Sequence, residues 1–224
     1  MRLLLAQGRV EVDGARASDM GQRIDAFSHV RVDGTVTQAR QRRYLMLNKP
    51  AGVVSATVDA RHRTVVDLLA QDYRAELHIV GRLDFNSTGL MLLSNDGAWS
   101  QRLSQPDRKL LKRYRVRVER PLSETHVRAF AQGIHFAYEN ITTRPARLTI
   151  LDAHTAEVGL VEGRYHQIKR MFGRFDNRVL SIHRVAVGPL QLDADLPPGH
   201  SRELTLTELT AVAAEQADQA PLTA

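Results

Sequence analysis

A glycine-flanked acidic loop is the segment of this sequence best suited to carry out chemistry. Asp84 lies in the run Gly81–Gly89, between two apolar stretches and close to Arg82. The two glycines permit a tight backbone path around the carboxylate. A carboxylate at the end of a strand and beside an arginine can serve as a nucleophile or a general base. The spacing alone equally allows an aspartate that caps a turn and pairs with Arg82.

A second group of polar residues occupies the run from Glu162 to Met171. The run has the sequence Glu-Gly-Arg-Tyr-His-Gln-Ile-Lys-Arg-Met and reads as a loop that enters a helix. Lys169 and Arg170 fall in the first turns of this helix, where the N-terminus already favours anions. The pattern indicates contacts to phosphates and base edges. A solvated basic helix face is the alternative.

A third group, Arg108–Arg117, has six basic residues in ten and no acid. Tyr114 interrupts the basic residues. An aromatic face can stack an unpaired base for about 1–3 kcal/mol, so this combination suits a nucleic-acid ligand. Tyr114 could also be a core residue of its own strand.

Metal and cofactor motifs are missing from the sequence. The nine histidines are scattered, and no metal-ligand spacing such as H-E-x-x-H occurs. Asp84 and Asp96 could be imagined as a two-metal pair, but a turn role for Asp96 in Asn95-Asp96-Gly97 is simpler. No nucleophile elbow, phosphate-binding P-loop or dinucleotide fingerprint is found. The sequence therefore predicts neither a metal nor a cofactor.

Composition describes a basic globular protein. The 224 residues are 43% hydrophobic, which allows one medium domain with a small appendage. Lys and Arg number 31 against 25 acidic residues, a net charge of +6 that favours polyanionic partners. There is no cysteine, as suits a reducing cytosol, and no apolar run approaches the ~20 residues of a membrane span. We expect a soluble, cytoplasmic protein without membrane contacts.

Short strand signals dominate the chain, with a few helices between them. Two Asp-Gly turns, at Asp13-Gly14 and Asp33-Gly34, follow alternating segments and predict hairpins. Further strands are predicted at 44–47, 90–93, 114–118 and 147–161. Helices are predicted at 64–70, from Ser123 to about Gln132, at 165–175 and from Thr207. This order predicts an α+β fold on a mixed, mainly antiparallel sheet.

Taken together, these segments resemble the pseudouridine synthases, specifically the family of the small-subunit ribosomal RNA pseudouridine synthase A. The resemblance covers about residues 44–212 and depends on several motifs in the right order. The motifs are Asn48-Lys49-Pro50-Ala51-Gly52, Gly81-Arg82-Leu83-Asp84 with Thr88-Gly89-Leu90, Asn95-Asp96-Gly97, Lys112-Arg113-Tyr114, the run Glu162–Met171, and Leu192–Leu196 with Gly199.

The resemblance implies an isomerase that needs neither metal nor cofactor. Asp84 would attack the target nucleotide, Tyr114 would stack on the base and assist proton removal from C5, and Lys169 would pair with Asp84. Arg82 would help to hold RNA around the vacated stack, because the target uridine must be flipped out. The matching positions predicted to bind RNA are Arg82, Thr88, Lys49, Lys112, Arg113, Arg164, His166, Gln167 and Arg170.

Residues 1–36 resemble the later part of an S4-type RNA-binding domain, a small α/β domain. The segment Leu3–Gly14 matches the end of its second helix and the strand that follows. The first helix of the family pattern is missing, so we expect weaker RNA capture. Residues 37–43 are predicted to be a linker, 44–212 the catalytic domain and 213–224 a C-terminal tail.

The form of the run Glu162–Met171 and of Phe172 after it favours one RNA. Tyr165-His166-Gln167 and Lys169-Arg170-Met171-Phe172 resemble the small-subunit enzymes more than their large-subunit relatives. We therefore expect 16S ribosomal RNA as the substrate, free or in an assembly intermediate, and a monomeric enzyme. The sequence also departs from the family pattern at Phe175-Asp176-Asn177, which concerns only the loop after the helix. A 23S ribosomal RNA enzyme, a non-catalytic S4-type rRNA-binding protein and a metal-dependent nuclease are the alternatives.

Overall fold

The computed structural model describes residues 2–105 and 110–218. The chain divides into two compact units, Met1–Arg43 and Tyr44–Ala224. The first unit holds helix α1 (Arg2–Ala6) and strands β1 (Val10–Val12), β2 (Ala15–Arg16), β3 (Val30–Val32) and β4 (Thr35–Gln38). Its sheet has the order β2-β1-β3-β4. Arg108 and Lys109 of the third basic group lie outside the described residues.

Both predicted hairpins of the first unit are confirmed. Asp13 and Gly14 have φ of 52° and 81°, and Asp33 and Gly34 have φ of 54° and 76°. Two successive residues with positive φ give the turn whose twist matches that of the flanking strands, which is why Asp-Gly is favoured there. Strand β4 continues to Gln38, which pairs with Val30, so Thr37 and Gln38 belong to the strand although the sequence placed them in the linker.

The second unit contains the larger sheet. Its strands are β5 (Tyr44–Lys49), β6 (His78–Val80), β7 (Thr88–Ser94), β8 (Lys112–Val118), β9 (His135–Phe136), β10 (Ile141–Thr142), β11 (Arg147–Asp152), β12 (Thr155–Leu160), β13 (Val179–Val187), β14 (Leu190–Gln191) and β15 (Ser201–Glu203). Its helices are a 3₁₀ turn (Val66–Leu68), α2 (Gln71–Arg74), α3 (Gly97–Ser104), α4 (Glu124–Gln132), α5 (Gln167–Gly173) and α6 (Leu206–Asp218).

The main sheet is mixed and mainly antiparallel, as the sequence predicts. Its main path runs β11-β12-β8-β13-β7-β5-β15. Strands β13 and β7 pair in parallel, whereas the other pairs of the sheet are antiparallel. The predicted α+β fold class is therefore confirmed.

Strand β7 is the point at which the sheet forks. Its first residues, Thr88 and Gly89, pair with β13, whereas Leu92–Ser94 pair with β6 on the same side. Strand β5 covers the whole opposite side of β7. The loop of residues 81–87 joins β6 to β7, so it lies at the fork between β6 and β13.

The apolar run in β7 is buried on both faces. Met91 and Leu93 belong to the larger hydrophobic cluster, and Leu90 and Leu92 belong to a second cluster on the other face. Each of the four side chains is fully buried. A strand covered on both sides needs a continuous apolar run, which explains why the sequence shows no alternation there.

Several predicted boundaries differ from the structure. The helix predicted at 64–70 is only the 3₁₀ turn Val66–Leu68, and α5 is shorter than predicted. The turn at Asn95-Asp96-Gly97 begins helix α3, because the Asp96 side chain accepts a hydrogen bond from the Trp99 amide at 3.0 Å and caps the helix. Helix α6 continues to Asp218, through half of the predicted tail.

None of the helices in the described part of the chain has both the length and the apolar character needed to cross a bilayer.

Replacing Gly89 should destabilise the junction between β7 and β13. Gly89 has a φ of 103°, and a Cβ there would lie 2.3 Å from the carbonyl oxygen of Arg184. We expect Gly89→Ala to lower the free energy of unfolding by about 2–4 kcal/mol in urea titrations. Gly97→Ala is the control, since its Cβ would meet no described atom within 4 Å, and should change the value by less than about 1 kcal/mol. Equal effects of the two changes would contradict this account.

Candidate active site

Asp84 sits on a loop whose backbone is fixed from two directions. Gly81 starts the loop with a φ of 82°, a conformation that glycine adopts without strain. Ser55 then holds the residue before the aspartate: its Oγ donates to the Leu83 carbonyl at 2.6 Å and accepts from the Leu83 amide at 3.1 Å. The position of Asp84 is therefore set by hydrogen bonds to the main chain.

Lys49 fixes the same loop from beneath. It ends strand β5, is fully buried, and its Nζ lies within 3.1 Å of the carbonyl oxygens of Pro50, Asp84 and Phe85 and 2.9 Å from that of Ser87. Burial lowers the pKa of Lys49 from its usual 10.5 to about 8, Asp84 opposes this shift, and Arg184 adds to it. The amine thus holds the loop from inside the protein, and RNA binding by Lys49 stays a prediction.

The carboxylate of Asp84 faces the start of helix α5. Its Oδ2 lies 3.3 Å from Nζ of Lys169 and 3.6 Å from Nε2 of His166. His166 is the N-cap of α5 and has a φ of 49°, which turns the chain sharply into the helix. All three side chains remain about one third exposed. A partly exposed ion pair adds little stability, so its main effect is to orient the carboxylate.

Glu162 organises the loop that precedes α5. One of its oxygens accepts from the Arg144 amide at 3.0 Å and from Nε2 of Gln167 at 2.6 Å, and the other accepts from Nε of Arg164 at 3.1 Å. Gln167 is buried, and its own Oε1 accepts from the Arg164 amide. Gln167 therefore holds the loop, whereas Arg164 stays exposed.

These groups surround a cavity of about 590 Å³. Arg82, Asp84, Arg164, His166 and Tyr114 line it together with the apolar Leu83, Phe85, Leu160, Ile168 and Ile182. The volume is in the range of pockets that bind small ligands or single groups of larger ones. A carboxylate with a cationic partner at such a cavity can act as a nucleophile or general base.

Tyr114 is a core residue that also lines the cavity, and its stacking on a base stays a prediction. It belongs to the large hydrophobic cluster and is only 8% exposed, yet it also lines the cavity that holds Asp84. Strand β8 alternates between buried and outward residues, so Tyr114 shares its face with Val116. The buried ring gives the cavity a rigid apolar wall.

Some side chains predicted to bind RNA contact other residues of the protein in the structure. Thr88 Oγ1 lies 2.8 Å from Nδ1 of His183, and the Arg113 guanidinium lies 3.7 Å from Glu157. Arg170 forms an ion pair with Glu139 and lies 3.8 Å above the ring of Phe136, which ties α5 to the β9–β10 hairpin. These three residues do not line the cavity, whereas Arg82, Arg164 and His166 do.

The residues that sequence reasoning missed are Glu162, Ser55 and Arg184. Glu162 was seen only as the first residue of a basic run, and Ser55 has no local signal. Arg184 is 2% exposed on β13, in the segment Ile182-His183-Arg184-Val185-Ala186. A single arginine among apolar residues of a strand is the signal that could have indicated a buried functional group. Among the described residues, no three His, Asp or Glu side chains come together as a metal site would require.

Removing the buried amine should destabilise the protein more than removing the exposed one. We expect Lys49→Met to lower the free energy of unfolding by about 2–4 kcal/mol, because carbonyl groups of the loop lose their buried partner. Lys169→Met is the matched control and should cost less than about 1 kcal/mol, as partly exposed pairs do. Urea unfolding of both variants measures the difference. A Lys49→Met protein as stable as the control would show that the amine does not hold the loop.

The sequence also matches known proteins. Residues 43–173 match the family of RNA pseudouridylate synthases. A protein called ribosomal small subunit pseudouridine synthase A from Pseudomonas aeruginosa is 48% identical, over 94% of this chain and 92% of its own length. The protein of the same name from Escherichia coli K12 is 39% identical, over 91% of this chain and 89% of its own.

A solved structure agrees with these sequences. A crystal structure described as a pseudouridylate synthase superposes with a TM-score of 0.75 at 33% identity, and covers 94% of this chain and 91% of its own. The agreement extends over both the fold and the segment that carries Asp84, which lies within the matched residues 43–173. The chain belongs to the RNA pseudouridylate synthase family.

Proposed function

We propose that this protein isomerises a specific uridine of small-subunit (16S) ribosomal RNA to pseudouridine, with Asp84 as the nucleophile. The observation that carries this proposal is the Asp84 carboxylate, which faces Lys169 at 3.3 Å in a cavity walled by Tyr114. The relatives named for the small ribosomal subunit support the choice of RNA.

The chemistry is an exchange of one bond for another within the same nucleotide. Attack by the Asp84 carboxylate leads to cleavage of the N1–C1′ bond, the freed uracil turns, and C5 bonds to C1′. The proton on C5 is then removed, N1 ends with a proton, and Asp84 is released unchanged. The reaction is a rearrangement, so no oxidant, reductant or second substrate is consumed.

The structure supports a division of labour among the side chains of the cavity. Lys169 and His166 hold the carboxylate from the α5 side, while Lys49 and Ser55 hold its loop from the other. The ring of Tyr114 supplies an apolar surface for stacking the base. A substrate uridine must leave its stack to reach this cavity, at a cost of a few kcal/mol. Arg82, exposed at the rim, is placed to contact the RNA around the vacated position.

RNA contacts outside the cavity provide the energy for this extrusion. The net charge of +6 favours a polyanion, and neutralised phosphates release counterions. We infer that the first unit, with its four-stranded sheet, adds RNA contacts in the manner of an S4-type domain. That the protein works as a monomer stays a prediction, which its mass in solution would test.

Substitution of the nucleophile should remove activity while preserving binding. We expect Asp84→Asn to lower the rate of pseudouridine formation by at least ~10³-fold, since a carboxamide cannot form the covalent adduct. Its affinity for the RNA should stay within about threefold, below 1 kcal/mol. The measurement is mass-based mapping of pseudouridine in 16S and 23S transcripts after incubation with each protein. Asp72→Asn, an exposed aspartate of α2, is the control and should react as the unmodified protein does.

The possible results separate the alternatives. A single new pseudouridine in 16S RNA that the Asp84→Asn protein does not form supports the proposed reaction, the role of Asp84 and the choice of substrate. A site in 23S RNA alone keeps the chemistry and contradicts the substrate. RNA binding without product in either transcript or in assembly intermediates favours a non-catalytic binding protein. Activity that persists in EDTA, with the RNA still folded, argues against a metal-dependent nuclease.

A further inference from the structure

A second cavity adjoins the one that holds Asp84. It has a volume of about 540 Å³ and shares with the first cavity Arg82, Tyr114 and the loop of residues 162–164. The apolar side chains of Val80, Leu92, Leu103, Leu110 and Val187 form its other walls. The second cavity thus shares Tyr114 with the first and is lined by Val80 of β6 and Leu92 of β7, two strands of the sheet fork.

A buried arginine with an unused donor lines this cavity. Arg184 is 2% exposed, its Nε donates to the Leu90 carbonyl at 2.7 Å, and its Nη1 donates to the Arg82 carbonyl at 3.3 Å. Its Nη2 is buried and has no hydrogen-bond partner within the described chain. A buried charged donor without a partner costs free energy, so where the chain offers none, native proteins satisfy it with an ordered water, an ion or a ligand.

Two more cations reinforce the arginine. Nη1 of Arg144, another residue of the lining, is also buried and without a hydrogen-bond partner in the part of the chain that the structure describes. Lys112 lies two residues before Tyr114 on the same face of β8, and burial, followed by the charge of Arg184, lowers its pKa. Both groups gain from a negative charge placed between them.

Within the described part of the lining, acidic groups do not supply that charge. Of the described residues that line the cavity, Glu162 alone is acidic, against Arg82, Lys112, Arg144, Arg164 and Arg184. Glu162 already accepts hydrogen bonds from the Arg144 amide, Arg164 and Gln167. The cavity is therefore strongly cationic, and its guanidinium donors match the oxygen atoms of a phosphate group.

We propose that this second cavity binds a backbone phosphodiester of the RNA next to the uridine that enters the Asp84 cavity. This assignment rests on the proposed function, because it takes the flipped uridine as the occupant of the first cavity. RNA has one phosphate per nucleotide, and the two cavities share Tyr114, Arg82 and residues 162–164, so a nucleotide whose base enters the first cavity brings a phosphate next to the second. The bound phosphate completes Arg184 and Arg144 and fixes the nucleotide relative to Asp84.

The phosphate contact would be present both in the bound substrate and in the transition state, so its loss should change KM more than kcat. A phosphate contact that is equal in ground and transition states changes KM and leaves kcat nearly unaltered. We expect Lys112→Met and Arg144→Met each to raise KM about tenfold and to lower kcat by less than about threefold. Arg128→Met, which removes the same charge from the exposed face of α4, is the control and should change neither. A loss confined to kcat in the two cavity variants would overturn the proposal.

Arg184 itself is a poor first target, because it also holds the Leu90 and Arg82 carbonyls. Lys112 and Arg144 leave those hydrogen bonds in place. Thermal unfolding with inorganic phosphate, compared with chloride at equal ionic strength, tests the anion site without any RNA. The unmodified protein and Arg128→Met should be stabilised by phosphate, and the two cavity variants should not. Equal stabilisation of all four proteins would overturn the site.

Modified RNA decides whether the anion belongs to the substrate. Single methylphosphonate linkages, which remove one phosphate charge, are placed on either side of the mapped uridine, and binding to Asp84→Asn is measured. One linkage should weaken binding to Asp84→Asn about tenfold. In a protein that carries both Asp84→Asn and Lys112→Met, the same linkage should not weaken binding further. Independent, additive losses would overturn the proposal. A protein that binds inorganic phosphate through Lys112 and Arg144 but makes no pseudouridine would keep the anion site and contradict the proposed reaction.

Discussion

The buried amine of Lys49 is the interaction on which the active site depends. It joins the end of β5 to the carbonyl oxygens of the loop that carries Asp84, and it is fully enclosed. A loop at the surface would otherwise sample many conformations, and a nucleophile misplaced by about 1 Å loses much of its rate. The position of Asp84 is thus determined by the sheet, through β5, rather than by the loop alone.

The fork in the sheet creates the space in which this loop works. Strands β6 and β13 both pair with β7, but at opposite ends, so the loop emerges between them. Gly89 makes the parallel contact with β13 possible, because any Cβ there would strike the Arg184 backbone. The same contact buries the Arg184 side chain beside the loop, where it bonds to the Arg82 carbonyl.

Positive charge is concentrated around one carboxylate and is incompletely neutralised by the protein. Lys169 faces Asp84, Lys49 lies beneath its loop, and Arg184 and Lys112 are partly or wholly buried beside the adjoining cavity. Burying cations costs free energy that their few protein partners offset only in part. In the function proposed above, a polyanionic substrate supplies the missing charge, which would link the affinity for RNA to the same residues that position Asp84.

The sequence by itself determined the elements whose signals are local. The Asp-Gly hairpins, the helix capped by Ser123 and ended by Gly133, the apolar β7 and the alternating β8 all depend on neighbouring residues, and the structure has each of them. The motifs also identified the family and placed Asp84 in a loop between strands. The helix that Asp96 caps was missed, because Asn-Asp-Gly is equally typical of a simple turn.

Tertiary structure alone decided which polar residues face the cavity and which hold it together. Lys49, Gln167 and Arg170 are of residue types that commonly bind RNA, yet each has a partner within the protein. Lys49 donates to carbonyl oxygens, Gln167 donates to Glu162, and Arg170 forms an ion pair with Glu139. The sequence places Arg184 in a strand but names no partner for it, and the fold makes it a buried donor of the second cavity. The chemistry of a side chain determines which hydrogen bonds it can form. Its actual partner often lies in a segment that is distant in sequence, and only folding brings the two together.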